Sequence, residues 1–292
     1  MATATADPLS DAAREFLGRG TAEHFIGGER SPSSGGETFE TIDPATGDAI
    51  VEVSRAGADD VDRAVAAARA AFEGEWATTN AAKRSAAMNS LADLLRANSE
   101  ELAELESLDN GKPIKMAQID VAASVNHLRY YAGWPTKIEG ETIPVSGRDV
   151  FCYTRKEPVG VCGQIVPWNF PLLMAIWKIS PVLATGCTTV LKAAEQAPLT
   201  ALRLGELCVE AGLPEGVVNV VAGDGATGAA LVDHDDVDKI AFTGSTAVGR
   251  EIGAKCGRSI KRVTLELGGK SPNIILPDLR GDDLERAIRG SF

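Results

Sequence analysis

The sequence is poor in the residues that build metal centres and disulfide frameworks. Its 292 residues include only five cysteines and three histidines. The cysteines show no C-x-x-C spacing and no paired Cys/His ligand pattern. An odd, dispersed set of thiols is typical of a protein kept in a reducing compartment. We therefore expect a cytoplasmic protein with mostly buried free thiols and no bound metal.

An excess of positive charge and long apolar runs are also missing. Lys and Arg total 29 against 41 Asp and Glu, which gives a net charge of −12 at pH 7. Nucleic acids and anionic membranes attract basic surfaces, so this balance disfavours both as partners. No apolar run is long enough for a membrane span, and the N-terminal residues do not follow the pattern of a secretory signal. We expect residues 1–20 to form a mobile tail.

The residues that are present form two kinds of pattern. The composition, with 44% hydrophobic and 24% charged residues, is that of a globular protein. Before residue 160 the pattern is mainly helical: one apolar stripe begins at Val61 behind Asp59 and Asp60, and another begins at Leu102 and stops before Gly111. The segment "ETIPVSGRDVFCYTRKEPVG" has a Ser-Gly turn between two extended runs, which predicts a β-hairpin at about 140–158.

From about residue 160 onwards, short β-rich runs alternate with helical patterns. The runs are "VCGQIV", "TTVLKA", "VVNVVA", "KIAFTG" and "RVTLEL". Strict alternation of strand and helix predicts an α/β protein: a Rossmann-like parallel sheet with helices on both faces, preceded by the N-terminal helical segment and the hairpin. In such sheets ligands bind at the carboxyl ends of the strands, where the notable residues of this sequence occur.

Two glycine-containing turns are candidates for phosphate binding. "GDGATG", residues 223–228, matches G-x-G-x-x-G after a strand, but Asp224 stands where an anionic pyrophosphate would approach. This loop either holds phosphate or is a tight turn that lines the pocket. In "FTGSTAVG", residues 242–249, Gly244 permits close backbone approach and Ser245 can cap the next helix. That helix start either receives an anion or is simply capped by serine.

Three polar side chains stand out near other strand ends. Lys192 and Glu195 in "VLKAAEQAP" can hold ribose hydroxyls, with the carboxylate repelling a 2′-phosphate, or they form a solvated ion pair. Asn169 in "VPWNFP" lies between two aromatic residues and two prolines. Prolines fix the backbone and aromatic rings exclude water, so this amide either donates to an oxyanion or is a buried Asn bonding its own loop.

A carboxylate in "TLELGGKSPN" raises a similar choice. Glu266 lies between two leucines, just before Gly268 and Gly269 turn the chain. A charged group in so apolar a run is either an accident of a loop or a base with a chemical task.

Taken together, these stretches resemble the NAD(P)-dependent aldehyde dehydrogenase family. The motifs that carry the resemblance are "VPWNFPLLMAIWKISPVLATGCTTVLKAAEQAPLTAL", "KIAFTGSTAVG" and "RVTLELGGKSPNIIL", with "FIGGE", "IDPATGDAIVEV" and "YYAGWPTKIEGETIP" in the N-terminal half. The likeness runs from about residue 20 to the end. It implies oxidation of an aldehyde to a carboxylic acid with NAD(P), through a cysteine thiohemiacetal.

The resemblance assigns roles to individual residues. Asn169 would stabilise the oxyanion, and Glu266 would be the general base that activates the deacylating water. Lys192 and Glu195 would bind the adenosine ribose, and the glutamate implies NAD as cofactor in preference to NADP. Further cofactor contacts are implied at Val166, Pro167, Trp168, Gly225, Ala226, Gly244, Ser245, Leu267 and Gly268.

The sequence departs from the family pattern at two places. "KAAE" has Ala193 where the family commonly has proline, and the stretch after Gly225 is one residue shorter than usual. The second departure bears on the roles assigned to Gly225 and Ala226.

The resemblance also implies a cysteine nucleophile. In the family the cysteine follows L-E-L-G-G in a motif resembling F-x-N-x-G-Q-x-C, and none of the five cysteines here lies in such a motif. We therefore expect an NAD-binding domain over residues 21–270, with an oligomerisation-like hairpin, and a truncated start of the catalytic domain over residues 271–292.

Such a chain should be inactive alone. Aldehyde would be its substrate only with a complementing C-terminal chain, and homo-oligomers remain open. The alternative is a non-catalytic NAD-binding or interaction module.

Overall fold

Helices and strands alternate through most of the chain in a computed structural model that describes residues 9–290. The helices are α1 (Asp11–Leu17), α2 (Ala58–Glu73), α3 (Glu75–Thr78), α4 (Ala81–Ala97), α5 (Ser99–Asn110), α6 (Ile114–Ala132), α7 (Pro171–Thr185), α8 (Leu199–Glu210), α9 (Gly225–Asp233), α10 (Thr246–Ser259) and α11 (Gly281–Arg289), with a 3₁₀ turn at Pro135–Lys137. The strands are β1 (His24–Ile26), β2 (Glu29–Ser31), β3 (Thr38–Ile42), β4 (Ala49–Ser54), β5 (Thr142–Ile143), β6 (Cys152–Tyr153), β7 (Val161–Ile165), β8 (Thr188–Ala194), β9 (Val218–Gly223), β10 (Lys239–Gly244) and β11 (Arg262–Leu267).

The main sheet has seven strands in the order β11-β10-β7-β8-β9-β1-β2. The five strands from β11 to β9 are parallel, which confirms the predicted sheet. The antiparallel strands β1 and β2 extend it beyond β9, an addition that the sequence patterns did not predict. The chain runs outwards from β7 to β9 and then returns to β10 on the other side of β7. This reversal is the point at which ligands bind in open α/β sheets.

Helices cover both faces of the sheet, as predicted. Val190 and Val221 lie in a core cluster with α2, α9 and α10, whereas their neighbours Leu191 and Val220 lie in another with α4 to α8. Because successive side chains of a strand point to opposite faces, both faces of β8 and β9 are buried. The edge strand β11 differs, because most of its residues are exposed.

The local patterns before residue 160 also agree with the structure. Helix α2 buries the stripe that begins at Val61, and α5 ends at Gly111, whose φ of 81° is left-handed. Strands β5 and β6 pair antiparallel, which confirms the predicted hairpin. Within residues 9–290, no helix is both long and apolar enough to cross a membrane.

The predicted mobile tail is wrong for the described residues of that segment. Helix α1 begins behind Ser10, whose hydroxyl accepts a hydrogen bond from the Ala13 backbone N–H at 3.3 Å. Ala13 and Phe16 are buried, and the Ser10 backbone N–H donates to Glu104 of α5 at 2.9 Å. The segment is therefore docked by apolar burial and a helix cap. Residues 1–8 lie outside the described residues.

Candidate functional site

A cleft of about 500 Å³ opens at the carboxyl ends of β7, β8, β9 and β10, where the strand order reverses. We call it the strand-end cleft. Helices α9 and α10 form its other wall. Eight of the predicted cofactor-binding residues line it: Val166, Pro167, Trp168, Lys192, Glu195, Gly225, Gly244 and Ser245.

Lys192 and Glu195 form an ion pair inside this cleft. The Nζ of Lys192 lies 3.3 Å from Oε2 of Glu195, and Lys192 itself is buried at the end of β8. Burial lowers the pKa of the Lys192 ammonium, which the nearby carboxylates of Glu195 and Asp224 oppose. The pair is thus partly withdrawn from solvent and faces a cavity, unlike the solvated surface pair of the alternative interpretation.

The "GDGATG" turn is already occupied by its own carboxylate. Asp224 caps α9, accepting a hydrogen bond from the Ala226 backbone N–H at 2.8 Å, and it pairs with Arg55 at 2.8 Å. The Ala226 bond and the positive charges of Arg55 and Lys192 lower the pKa of the Asp224 carboxyl. The geometry therefore favours the tight turn that lines the pocket, because a negative group already holds the helix start.

The "FTGSTAVG" turn leaves more room for an anion. Strand β10 ends at Gly244, where an added Cβ would lie 2.5 Å from the ring of Phe242, so only glycine fits without movement. Ser245 caps α10 by accepting from the Val248 N–H at 3.3 Å. The first N–H groups of a helix have no partner within the helix, and here they meet the strand-end cleft at the positive end of the helix dipole.

The "VPWNFP" loop is buried only at its two ends, Val166 and Pro171, and is exposed at residues 168–170. Trp168 and Phe170 are 55% and 39% exposed, and Asn169 is exposed as well. The expected exclusion of water around Asn169 is therefore wrong in this structure, and so is the alternative of a buried Asn. Two aromatic rings exclude water only when other elements cover them, and here both face outwards.

The loop is nevertheless held from below by the end of α5. Asn110 donates from Nδ2 to the carbonyl oxygen of Trp168 at 2.7 Å, and the backbone N–H of Leu172 donates to Glu106 at 3.2 Å. The Nζ of Lys112 lies 4.9 Å from the ring centroid of Phe170. Sequence reasoning missed these contacts, although the polar run at the end of an apolar helical stripe was a possible signal.

Glu266 lies in a different cleft. It is an exposed residue of the edge strand β11, paired in register with Thr243 of β10. It lines a second cleft of about 570 Å³, which we call the edge cleft, together with Gln164, Lys178 and other residues. Thr243 lines both clefts and so marks their boundary.

Lys178 is the residue of the edge cleft that sequence reasoning missed. Burial lowers the pKa of its ammonium to about 8, and the negative charge of Glu266 opposes this shift. A lysine within the apolar helical run "MAIWKIS" was the available signal, because a buried lysine in such a run needs a nearby carboxylate or a cavity.

The remaining candidates lie near these clefts without lining either one. Leu267 packs against Gly249 of α10, and the carbonyl oxygen of Gly268 accepts from Thr246 Oγ1 at 3.4 Å. Ala226 is exposed in the first turn of α9, and Asn169 is exposed in its loop. The structure thus gathers eight cofactor candidates in one cleft, places Glu266 in a neighbouring cleft and leaves Asn169 outside both.

The five cysteines are spread over four elements and one loop of the fold. Cys162 is in β7, Cys208 in α8, Cys256 in α10 and Cys152 in the hairpin, while Cys187 follows Gly186 directly before β8. All are free thiols, and all except Cys152 are buried. Cys162 and Cys187 line the edge cleft with Glu266.

An open parallel sheet with helices on both faces and a cleft at its switch point defines a doubly wound α/β protein. Comparison with family profiles matches residues 31–292 to the aldehyde dehydrogenase family. The chain belongs to that family, which confirms the resemblance seen in the sequence.

Individual relatives support the same family. The Bacillus subtilis (strain 168) protein DhaS is 57% identical over 277 residues, which are 94% of this chain and 55% of DhaS. The human mitochondrial aldehyde dehydrogenase is 54% identical over 259 residues, 87% of this chain and 50% of that protein. A structure of an NAD⁺ complex of aldehyde dehydrogenase from Bacillus cereus is 54% identical, with a TM-score of 0.94 over 99% of this chain and 58% of that one. The chain spans about half the length of the curated relatives it matches.

Proposed function

We propose that this chain forms the NAD-binding part of an NAD-preferring, hydrolytic aldehyde dehydrogenase. Residues 21–270, joined by α1, form the cofactor domain, and residues 271–292 begin the catalytic domain. The observation that carries the proposal is the strand-end cleft, because residues predicted separately from four strand ends converge on it. The likeness to a protein solved with NAD⁺ supports the same cofactor.

The residues of the cleft fit the chemistry of a dinucleotide. Lys192 and Glu195 offer a donor and an acceptor for ribose hydroxyls at 3.3 Å from one another. The start of α10 offers N–H groups and a positive dipole end for a pyrophosphate. At Gly225 an added Cβ would meet nothing within 4 Å, so the backbone there faces open space. NAD, when bound, supplies the hydride acceptor for aldehyde oxidation.

The catalytic roles of two residues are part of the proposal. Asn169 donates from its side-chain amide to the oxyanion, and Glu266 accepts a proton from the water that releases the acid. The two lie outside the strand-end cleft, in the loop after β7 and in β11. Their joint action requires a nucleophilic cysteine placed between them, and none of the five cysteines here lies in the family's cysteine motif.

Isothermal titration calorimetry with NAD tests the cofactor assignment. We expect binding in the micromolar range, weakened by Lys192→Met because the buried ammonium loses its ribose contact. The matched control is Lys239→Met, since Lys239 lines the edge cleft instead. Absence of heat with the folded wild-type chain, or equal losses in the two variants, would contradict the proposal.

Turnover separates the enzyme from a non-catalytic binding module. We expect no NADH from the 292-residue chain with NAD and a simple aldehyde. Addition of a chain that carries the G-Q-x-C segment should produce NADH if the two halves complement one another. NADH formation by the single chain that disappears in Cys187→Ser would show that a thiol of the edge cleft acts as nucleophile, and would contradict the expected inactivity of the chain alone.

A further inference from the structure

Two of the five thiols are neighbours on adjacent strands. Cys162 is paired in register with Thr189 of β8, and Cys187 lies two residues before that threonine. Because side chains two residues apart in an extended chain point the same way, Cys162 and Cys187 share one face of the sheet. Together with Val182 of α7 they form a small core cluster of their own, and each cysteine is only 3% exposed.

The surroundings favour a thiolate at Cys187. The neighbouring Cys162 thiol, as a hydrogen-bond donor, lowers the pKa of the Cys187 thiol, and the same interaction raises the pKa of the Cys162 thiol. The hydroxyl oxygen of Thr185 also lies 3.4 Å from the Cys187 sulfur. One thiol of the pair is therefore prepared as a nucleophile, and the other remains protonated beside it.

A partly buried cation next to Cys187 is a separate observation. The guanidinium of Arg84 packs against Gly186, where an added Cβ would lie 3.5 Å from its Cζ. The Nε of Arg84 is buried and has no hydrogen-bond partner among the described residues. Burial lowers the pKa of Arg84, and the negative charge that Cys187 can carry raises it. A thiolate at Cys187 therefore stabilises a guanidinium whose Nη1 donates to the Thr79 carbonyl oxygen at 2.7 Å and whose Nε has no acceptor among the described residues.

Small solutes can reach the pair through the edge cleft. Both cysteines line this cleft of about 570 Å³, with Lys178 and Lys239 nearby. The other three cysteines lack these features: Cys208 and Cys256 are buried in separate clusters, where burial raises the pKa of each thiol, and Cys152 lies alone on the hairpin.

We propose that Cys187 and Cys162 form a peroxide-reactive dithiol that closes to a reversible disulfide. The Cys187 thiolate attacks a peroxide oxygen, so that an S–O bond forms, the O–O bond breaks and water or an alcohol leaves with a proton. The Cys162 sulfur then attacks the sulfur of this sulfenic acid, its proton leaves with the departing hydroxide as water, and an S–S bond forms. The two thiols lose two electrons and the peroxide gains them.

Two hydrogen bonds hold the backbone at Cys187: its N–H donates to the Val182 carbonyl oxygen at 3.0 Å, and its carbonyl oxygen accepts from Trp76 Nε1 at 2.9 Å. Cys187 precedes the first paired residue of β8 and follows Gly186, whose φ of 82° only glycine adopts readily. A disulfide needs Cα atoms within about 7 Å, so any backbone shift on closure works against these two hydrogen bonds. The proposal does not depend on NAD binding or on dehydrogenase activity.

Peptide mapping of the wild-type chain gives the direct test. Trypsin cuts after Lys156, Lys178 and Lys192, so Cys162 and Cys187 fall in the consecutive peptides 157–178 and 179–192. After a small excess of hydrogen peroxide and alkylation of the remaining thiols, we expect these peptides joined, lighter by two hydrogens, and separated again by dithiothreitol. If peroxide oxidises Cys152 first and leaves the two peptides unlinked, the proposal is overturned.

Two variants and two controls assign the roles. In Cys162→Ser we expect a sulfenic acid at Cys187 that dimedone traps, and in Cys187→Ser we expect oxidation of Cys162 to slow by at least about tenfold. Cys208→Ser and Cys152→Ser should leave the cross-link unchanged. Circular dichroism checks that each variant is folded. Alkylation of wild-type Cys187 at a rate no greater than that of Cys208 would also overturn the proposal.

Discussion

Asn110 donates a hydrogen bond from its Nδ2 to the carbonyl oxygen of Trp168, over 2.7 Å. Asn110 is the last residue of α5, and Trp168 lines the strand-end cleft in the loop after β7. Glu106, one turn earlier in α5, accepts from the backbone N–H of Leu172 at 3.2 Å. The end of α5 thus holds both the loop and the first turn of α7, so a helix remote in sequence positions one wall of the cleft.

Removal of this hydrogen bond should weaken cofactor binding. Asn110→Leu keeps a similar volume and loses the donor, and a hydrogen bond contributes about 1 kcal/mol, so we expect the Kd for NAD to rise about fivefold. Isothermal titration calorimetry measures this Kd. Asn89→Leu is the matched control, because Asn89 donates to the Ser85 carbonyl oxygen at 2.9 Å on α4, away from the cleft. Equal Kd values for the two variants would remove the proposed link between α5 and the cleft.

The choice between NAD and NADP should depend on Glu195. Its carboxylate repels a 2′-phosphate, so Glu195→Gln should raise the affinity for NADP by at least about fivefold and change the affinity for NAD less. Glu251→Gln provides the control, since Glu251 lines the same cleft from α10. If both variants improve NADP binding equally, the effect is that of net charge and not of contact with the ribose.

Glu266 should stabilise the charged form of Lys178. Burial lowers the pKa of Lys178 to about 8, and the carboxylate of Glu266 opposes this shift. Because Glu266→Gln removes the opposing charge, it should lower the pKa of Lys178 further. NMR of a ¹³C-methylated lysine at this position, followed as a function of pH, reports the titration. Glu157→Gln, in the same cleft, is the control. An unchanged Lys178 pKa in Glu266→Gln would show that the two groups do not interact.

His24 should make the protein sensitive to mild acid. Its Nδ1 accepts from the Ala222 backbone N–H at 3.3 Å, and burial lowers the pKa of the ring from 6.5 to about 4. The unfolded chain therefore binds a proton at a pH where the folded chain does not, so the stability present above pH 6.5 is lost as the pH falls towards 4. The expected loss is about 3 kcal/mol.

Urea unfolding at a series of pH values measures this loss. His24→Asn offers the backbone N–H an oxygen acceptor that does not titrate, so its free energy of unfolding should change less between pH 7 and pH 4. His234→Gln, at a residue that interacts with Asp62 near the surface, should keep the slope of the wild type. A parallel pH dependence for wild type and His24→Asn would show that His24 is not the cause.

Much of the fold follows from local patterns in the sequence. The near-continuous apolar runs of β8 and β9 predict a parallel sheet because such strands are buried on both faces. Two helix features follow from equally local causes. The spacing of the apolar residues from Val61 onwards predicts α2, and the left-handed φ that Gly111 adopts ends α5. The long motifs from Val166 to Glu266 sufficed for the family, since they occur in order along the chain.

Other features depend on contacts that no local pattern contains. Asn110 and Trp168 are 58 residues apart, and only the packing of α5 against α6, α7 and α8 brings them together. The docking of α1 depends on Glu104 in the same way, which is why a mobile tail was predicted there.

The amino-acid sequence by itself determined the family, the order of strands and helices, and which residues stand at strand ends. The tertiary structure alone decided which of those residues share a cleft. Eight cofactor candidates line one cleft, Glu266 and Lys178 line another, and two thiols that share a small core cluster also line that second cleft. The physical reason is that strand register brings together residues that are far apart in the chain. The register depends on the crossover connections, and packing across the whole sheet decides how these connections run.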